Sequence, residues 1–244
     1  MDVRCVWEHN GSDTLLYAAS HPGAFTRGAN LEEAIGKIPQ EIESWHRWCG
    51  SPAPAVIEVE ISQNQVSELA IRDADSDVLF EEEKLPLTLD EYQSLKQLAL
   101  KSAQDFQTLF DSIPQKDTTV LPARTTFYGP VPRTAEEMYR HTKSVNAYYF
   151  AEIDVDADNE GSILSCRQRG FSALEEKPDF LSNPVIPGSY GENWTVRKVL
   201  RRFLWHDRIH AKAMYRMAIR TFGPRSVPDV FHFDTQTSTS QRIL

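Results

Sequence analysis

The stretch Trp194-Thr-Val-Arg-Lys-Val-Leu-Arg-Arg-Phe-Leu-Trp-His-Asp-Arg-Ile-His-Ala-Lys-Ala-Met-Tyr-Arg-Met-Ala-Ile-Arg-Thr-Phe222 decides the fold of this 244-residue chain. It holds neither proline nor glycine until Gly223, and its apolar residues recur at helical spacing, so it predicts one long helix. Stepping by four and three, Val199, Phe203, His206, His210, Ala213 and Met217 form the stripe that faces a core. Residues four apart lie one turn above each other on one face. Two imidazoles, His206 and His210, are thus directed together into apolar surroundings. A buried neutral imidazole needs its polar nitrogens satisfied, and one metal ion gripped by both rings satisfies them.

A third histidine has the same kind of placement. Thr134 followed by Glu137 has capping-box spacing and marks a helix start, with the helix running from about Ala135 to Ile153. Met138, His141, Val145 and Tyr148 then form its buried face. His9, His21, His46 and His232 fall on no such stripe. Three neutral imidazoles fill three corners of a tetrahedron and leave the fourth to water or substrate. Zinc, nickel, iron and cobalt all suit three nitrogen ligands. The competing reading is three core histidines hydrogen-bonded to backbone or to one another.

The rest of the second half is helical as well. Thr88 and Glu91 repeat the capping-box spacing ahead of Tyr92, Leu95, Ala99, Phe106, Phe110 and Ile113, and Pro114 stops that helix. Residues 115–133 read as a loop, and a further helix is expected between about Ser162 and Leu181, interrupted by Gly170. Four amphipathic helices in this length predict an all-α four-helix bundle over residues 86–223. Residues 224–244 are rich in Pro, Ser and Thr and predict a loosely held tail.

Residues 1–85 predict a small α+β module. Val3 to Trp7 and Thr14 to Ala19 read as strands split by an Asn10-Gly11-Ser12-Asp13 turn, and Ala24 to Arg27 as a short third strand. A helix follows from Leu31 to about Trp48, with Asn30 as N-cap and a kink or split expected at Gly36 and Pro39. Ala55 to Ile61 alternates like a half-buried strand; Val66 to Ile71 and Val78 to Phe80 are weaker strand candidates.

Composition bounds the function. With 41% hydrophobic and 25% charged residues the chain matches soluble globular proteins. No apolar run approaches a membrane span, and the start MDVRCVWEHN lacks the apolar core of a signal peptide, so a cytoplasmic location is expected. Cys5, Cys49 and Cys166 are an odd number without motif spacing, which suits a reducing compartment. The net charge of −9 is concentrated at the front, where residues 1–84 hold sixteen acidic against six basic side chains. That part repels a phosphate backbone, so nucleic acid is not an expected partner.

Other features have a plain reading beside a functional one. Arg197, Arg201, Arg208, Lys212 and Arg216 form a basic stripe, read as a solvated bundle face or as a site for phosphate or an anionic thiol. Cys166 reads as a small core residue rather than a nucleophile. Tyr139, Tyr148 and Tyr149 flank His141 as core aromatics or pocket walls. Asp207, next to His206, is expected to point sideways into solvent rather than to support a metal-bound ring.

The segment Trp194-Thr-Val-Arg-Lys-Val-Leu200 leading to Trp205-His206-Asp-Arg-Ile-His210, with Thr134-Ala-Glu-Glu-Met-Tyr-Arg-His141 before it, resembles the DinB-like (YfiT-like) metalloprotein superfamily over about residues 85–223. The resemblance implies a four-helix bundle that binds one divalent metal through His141, His206 and His210. It also implies use of a low-molecular-weight thiol such as bacillithiol, mycothiol or glutathione by a transferase or isomerase. The ergothioneine-type sulfoxide synthases of that superfamily carry H-x-x-x-H-x-E, and Lys212 stands here in place of the Glu, which sets that reaction aside. Tyr17-Ala-Ala-Ser-His-Pro22-Gly23-Ala-Phe-Thr-Arg-Gly28 and Asn30-Leu31-Glu-Glu-Ala-Ile35 are similar to the HicB family of small antitoxin-type domains, which implies a non-catalytic βββαβ-type module.

The expected function is therefore a divalent-metal-dependent enzyme, a thiol-dependent S-transferase or isomerase acting on a small-molecule substrate. Zinc, nickel or iron is the expected ion, a low-molecular-weight thiol the second cofactor, and a homodimer remains open. No residue spacing names a catalytic acid or base. The alternative is a non-catalytic, metal-stabilised scaffold whose acidic HicB-like module binds a protein partner.

Overall fold

Strand β1 (Asp2–His9) and strand β2 (Thr14–Ala18) form an antiparallel hairpin across the Asn10–Asp13 turn. The Asn10 side chain closes that turn by accepting from the Ser12 and Asp13 amides at 3.0 and 2.9 Å. Strand β3 (Phe25–Gly28) pairs antiparallel with β2, and helix α1 (Leu31–Trp48) follows. Asn30 caps α1 by accepting from the Glu33 amide at 2.9 Å. Pro39 lies inside α1, which continues through it and through Gly36 as one helix.

Strand β4 (Glu58–Val66) pairs parallel with β1 and completes a sheet of order β3-β2-β1-β4. Its start and end lie three and five residues beyond those of the expected Ala55–Ile61 strand. Its polar second half falls between the expected strands, and an edge strand has a ladder on one side only and tolerates Gln63, Asn64 and Gln65. Register skips Ser62 between the Cys5–Ile61 and Val6–Gln63 pairs, and the Ser62 hydroxyl donates to the Cys5 carbonyl at 3.2 Å. Val3, Cys5, Leu16, Ala18, Ala34, Ile38 and Ile42 make the core between sheet and helix.

The two weaker strand candidates do not form. Ile71–Asp73 is a 3-10 turn, and Val78 to Phe80 is an extended lead into a second 3-10 turn at Glu81–Lys84. The backbone there is satisfied by side chains, with the Val78 carbonyl taken by Arg201 at 2.9 Å and the Phe80 amide by Glu83 at 2.9 Å.

Helices α2 (Leu89–Ser112), α3 (Ala135–Ala151), α4 (Ile163–Glu175) and α5 (Val196–Phe222) make up most of the rest. Thr88, Thr134, Ser162 and Thr195 each accept from the amide three residues on. Helix α5 packs on α2 and α3, and α4 packs on the same two. Helix α4 ends well before Leu181, because Pro178 bars the helix and Asp179 adopts φ +56°. Gly170 does not interrupt α4: it sits where an added Cβ would lie 2.1 Å from the Phe150 ring, so its missing side chain lets α3 and α4 approach. Two-residue strand pairs, β5 (Thr125–Thr126) with β6 (Gly129–Pro130) and β7 (Ile186–Pro187) with β8 (Asn193–Trp194), pin the loops before α3 and α5.

The computed structural model describes residues 1–234, a mixed α/β chain with an N-terminal β part followed by helices. The chain forms two compact units, Met1–Ser76 with the C-terminal segment from Asp229, and Asp77–Pro228. Residues 77–85 belong with the helices rather than with the sheet. Lys198 donates to the Asp77 carbonyl at 2.7 Å, and Arg201 binds Val78 and Glu83. The C-terminal segment is not loose throughout: Phe231 is 1% exposed and stacks on Trp48, with ring centroids 5.4 Å apart. The remainder of the expected tail, 235–244, lies outside the described residues. Among the described residues no helix is long and apolar enough to cross a membrane.

Candidate metal centre

Helix α5 carries His206 and His210 one turn apart, and α3 brings His141 to them. The three ring centroids lie 4.5 to 5.2 Å apart, and one ligand nitrogen from each ring lies within 4.8 Å of the others. This group can hold a metal ion. Tetrahedral zinc with bonds of about 2.1 Å puts ligand nitrogens about 3.4 Å apart, a distance that small side-chain rotations reach. His206 is buried, whereas His141 and His210 are half-buried. The trio therefore sits at the rim of the core between α3 and α5 rather than at its centre. The buried set on α3 (Met138, Thr142, Asn146, Tyr149 and Phe150) is rotated from the stripe read in the sequence and leaves His141, Val145 and Tyr148 at its edge.

The electrostatics suit coordination. Burial holds the His141 ring below the ordinary histidine range. Burial, then the neighbouring His210 and His141 and the cations Arg202 and Arg167, hold His206 well below it. Both rings are thus neutral at physiological pH, the state that binds metal. Nδ1 of His206 is buried with no hydrogen-bond partner. A buried imidazole nitrogen without a partner is costly, and a coordinated cation removes that cost. The same atom counts against the reading in which the three rings are satisfied by protein groups alone.

Two aromatic rings border the trio. Tyr149 meets His206 edge-on at 6.1 Å, and Tyr128, at the tip of the β5–β6 hairpin and 45% exposed, stacks near His141 at 6.3 Å. Tyr139 turns away: it stacks on Phe110 and its hydroxyl accepts from the Ile163 amide at 3.0 Å. Tyr148 packs edge-on against Trp194. Cys166 is a buried core residue, and burial raises its thiol pKa, which leaves it a poor nucleophile.

Two expectations about α5 are corrected. Asp207 does not point into solvent. It is fully buried and forms a two-pronged salt bridge with the equally buried Arg167, whose Nη1 also donates to the Ala99 carbonyl at 3.3 Å. The basic stripe is a solvated face only in part, with Arg216 exposed and Lys212 half-buried. Arg201 is 7% exposed and paired with Glu83, Arg208 is buried, and Arg197 holds the Leu85 carbonyl and Glu91. Helix α5 packs on more than one side, so Arg197 and Arg201 are drawn inward to carboxylates and carbonyls rather than left in water.

Arg202 and the His21–His46 pair escaped the sequence reading. Arg202 lies off the basic stripe but on the histidine stripe, at positions i, i+4 and i+8 with His206 and His210, a spacing visible in the sequence. His21 and His46 come from a turn and from α1, and only the fold brings their Nε2 atoms to 3.3 Å. Ser51 donates to the His46 carbonyl at 3.3 Å and accepts from His46 Nδ1 at 2.9 Å, so His46 offers a bare Nε2 to the His21 N–H. His9 stacks on Trp7, and His232 is exposed.

Comparison with protein-family models, with curated proteins and with solved structures finds no match to this chain.

Proposed function

We propose that the helical unit is a DinB-like four-helix bundle and that it works as a divalent-metal-dependent enzyme, a thiol-dependent S-transferase or isomerase. The ring of contacts in which α2 and α3 each touch both α4 and α5 supports the bundle reading. The observation that carries the functional reading is the convergence of His141, His206 and His210 with an unpartnered Nδ1 on the most buried of them. Half-burial of two of the three rings favours an enzyme over a closed structural site, because a substrate needs a route to the ion.

A divalent ion bound there, whether zinc, nickel or iron, supplies Lewis acidity that lowers the pKa of a thiol or water at its open position. The protein's own part is threefold. His141 and His206 stay neutral and act as ligands together with His210. Tyr149 and the neighbouring core exclude water from the His206 side. Arg167, clasped to Asp207, fixes the turn of α5 that carries His206. The acidic N-terminal unit is read as a HicB-like accessory module without a catalytic part.

The test is a thiol panel. The protein loaded with zinc, nickel or iron is incubated with glutathione, mycothiol or bacillithiol and an electrophilic acceptor. Thiol consumption that depends on the metal and vanishes in His210→Ala is expected. No turnover with any thiol and any of the three metals would favour the non-catalytic scaffold.

A further inference from the structure

The histidine trio has a closed side and an open one. Tyr149, 2% exposed, meets His206 edge-on and closes the inner side. His141 and His210 are half-buried, so solvent reaches the trio past them. Tyr128 stands on that outer side. Its ring lies 6.3 Å from His141 at an interplanar angle of 25°, and the residue is 45% exposed. Phe127, 60% exposed, meets Tyr128 edge-on at 4.9 Å. Two large rings thus project from the tip of the β5–β6 hairpin beside a proposed ligand. The loop that carries them is anchored to both helices of the centre. The Val120 amide donates to Thr221 Oγ1 in the last turn of α5 at 3.3 Å, and the Lys116 carbonyl accepts from the Glu136 amide of α3 at 3.1 Å. Just past the hairpin, the Arg133 amide donates to the Glu137 carboxylate at 2.9 Å.

Apart from Phe127 and His141, Tyr128 has no ring or hydrogen-bond partner among the described residues. Exposed apolar surface of this kind marks a ligand site, and a ring held in place by an anchored loop binds with little loss of freedom. Aromatic rings favour one another in offset or edge-on arrangements over a merely apolar contact. We propose that Tyr128 is the face against which the molecule taken by the histidine centre packs, so that the site selects ligands with a metal-binding atom and an aromatic ring joined by a short carbon spacer. This rests on the metal reading above and adds to it the chemical class of ligand and the residue that selects it.

The test is ligand binding rather than turnover. The full chain is loaded with cobalt(II), and its visible spectrum is titrated with 2-phenylethanethiol and with ethanethiol, which has the same spacer and no ring. The wild type should bind 2-phenylethanethiol the more tightly. In Tyr128→Leu, which keeps apolar bulk and loses the ring, that preference should shrink about two- to tenfold, the range an aromatic pair adds beyond its buried area. Ethanethiol binding should stay unchanged. Tyr128→Phe, which keeps the ring, should retain the wild-type preference, so a loss confined to the leucine variant separates stacking from damage to the fold. Equal binding of the two thiols by the wild type would overturn the proposal. So would an undiminished preference in Tyr128→Leu. A wild type that takes up no cobalt contradicts the metal reading and removes the proposal with it, a result told apart from the others by the missing cobalt spectrum.

Discussion

His206 and Asp207 are neighbours in sequence with opposite needs. His206 must stay neutral and keep a nitrogen available, whereas Asp207 is buried as an ion and needs a full counter-charge. The pair with Arg167 provides that charge, so removing one partner leaves the other stranded in the core. Arg167→Met should therefore cost about 3–5 kcal/mol in urea unfolding, and a loss below about 1 kcal/mol would show the pair to be dispensable. A second prediction concerns His21, which burial and the facing His46 push down to about 4. An unfolded histidine ionises near 6.5, so between about 6.5 and 4 the unfolded chain binds the extra proton. Stability of the sheet unit should decline as pH falls through that window and level off below it. Chemical denaturation across pH 4–7 reads the slope, which should flatten in His21→Phe; an unchanged slope would remove His21 as its source.

At the scale of elements, the close approach of α3 and α4 depends on Gly170 under Phe150. Gly170→Ala places a methyl group into that ring and should cost about 1–3 kcal/mol by thermal unfolding, although alanine is the better helix former. If helix propensity governed instead, the variant would melt higher. Helix existence was legible because the signals are local: Thr88, Thr134 and Asn30 cap the helices they mark, and the stripe of α5 runs unbroken. The His206–His210 spacing was legible for the same reason. What the sequence left hidden depends on partners far along the chain. Strand β4 extends into Gln63-Asn64-Gln65 because β1 supplies the ladder, and Val78 to Phe80 fails as a strand because Arg201 takes its carbonyl. The burial of Asp207 and Arg208 follows from α5 packing on more than one side, which a single apolar stripe does not announce.

Across the whole molecule, two units of different chemistry share one chain. The sheet unit comes from the acidic first third of the chain and has a paired His21–His46, while the helical unit holds the His141–His206–His210 trio. The central claim is that the trio, and not the pair, binds one divalent ion. The most direct measurement is the metal content of the full chain after zinc loading and gel filtration, by inductively coupled plasma mass spectrometry, beside four variants. About one equivalent is predicted for the wild type and for His21→Ala, with near-complete loss in His141→Ala, His206→Ala and His210→Ala. Metal retained by His206→Ala, or lost from His21→Ala, would contradict it.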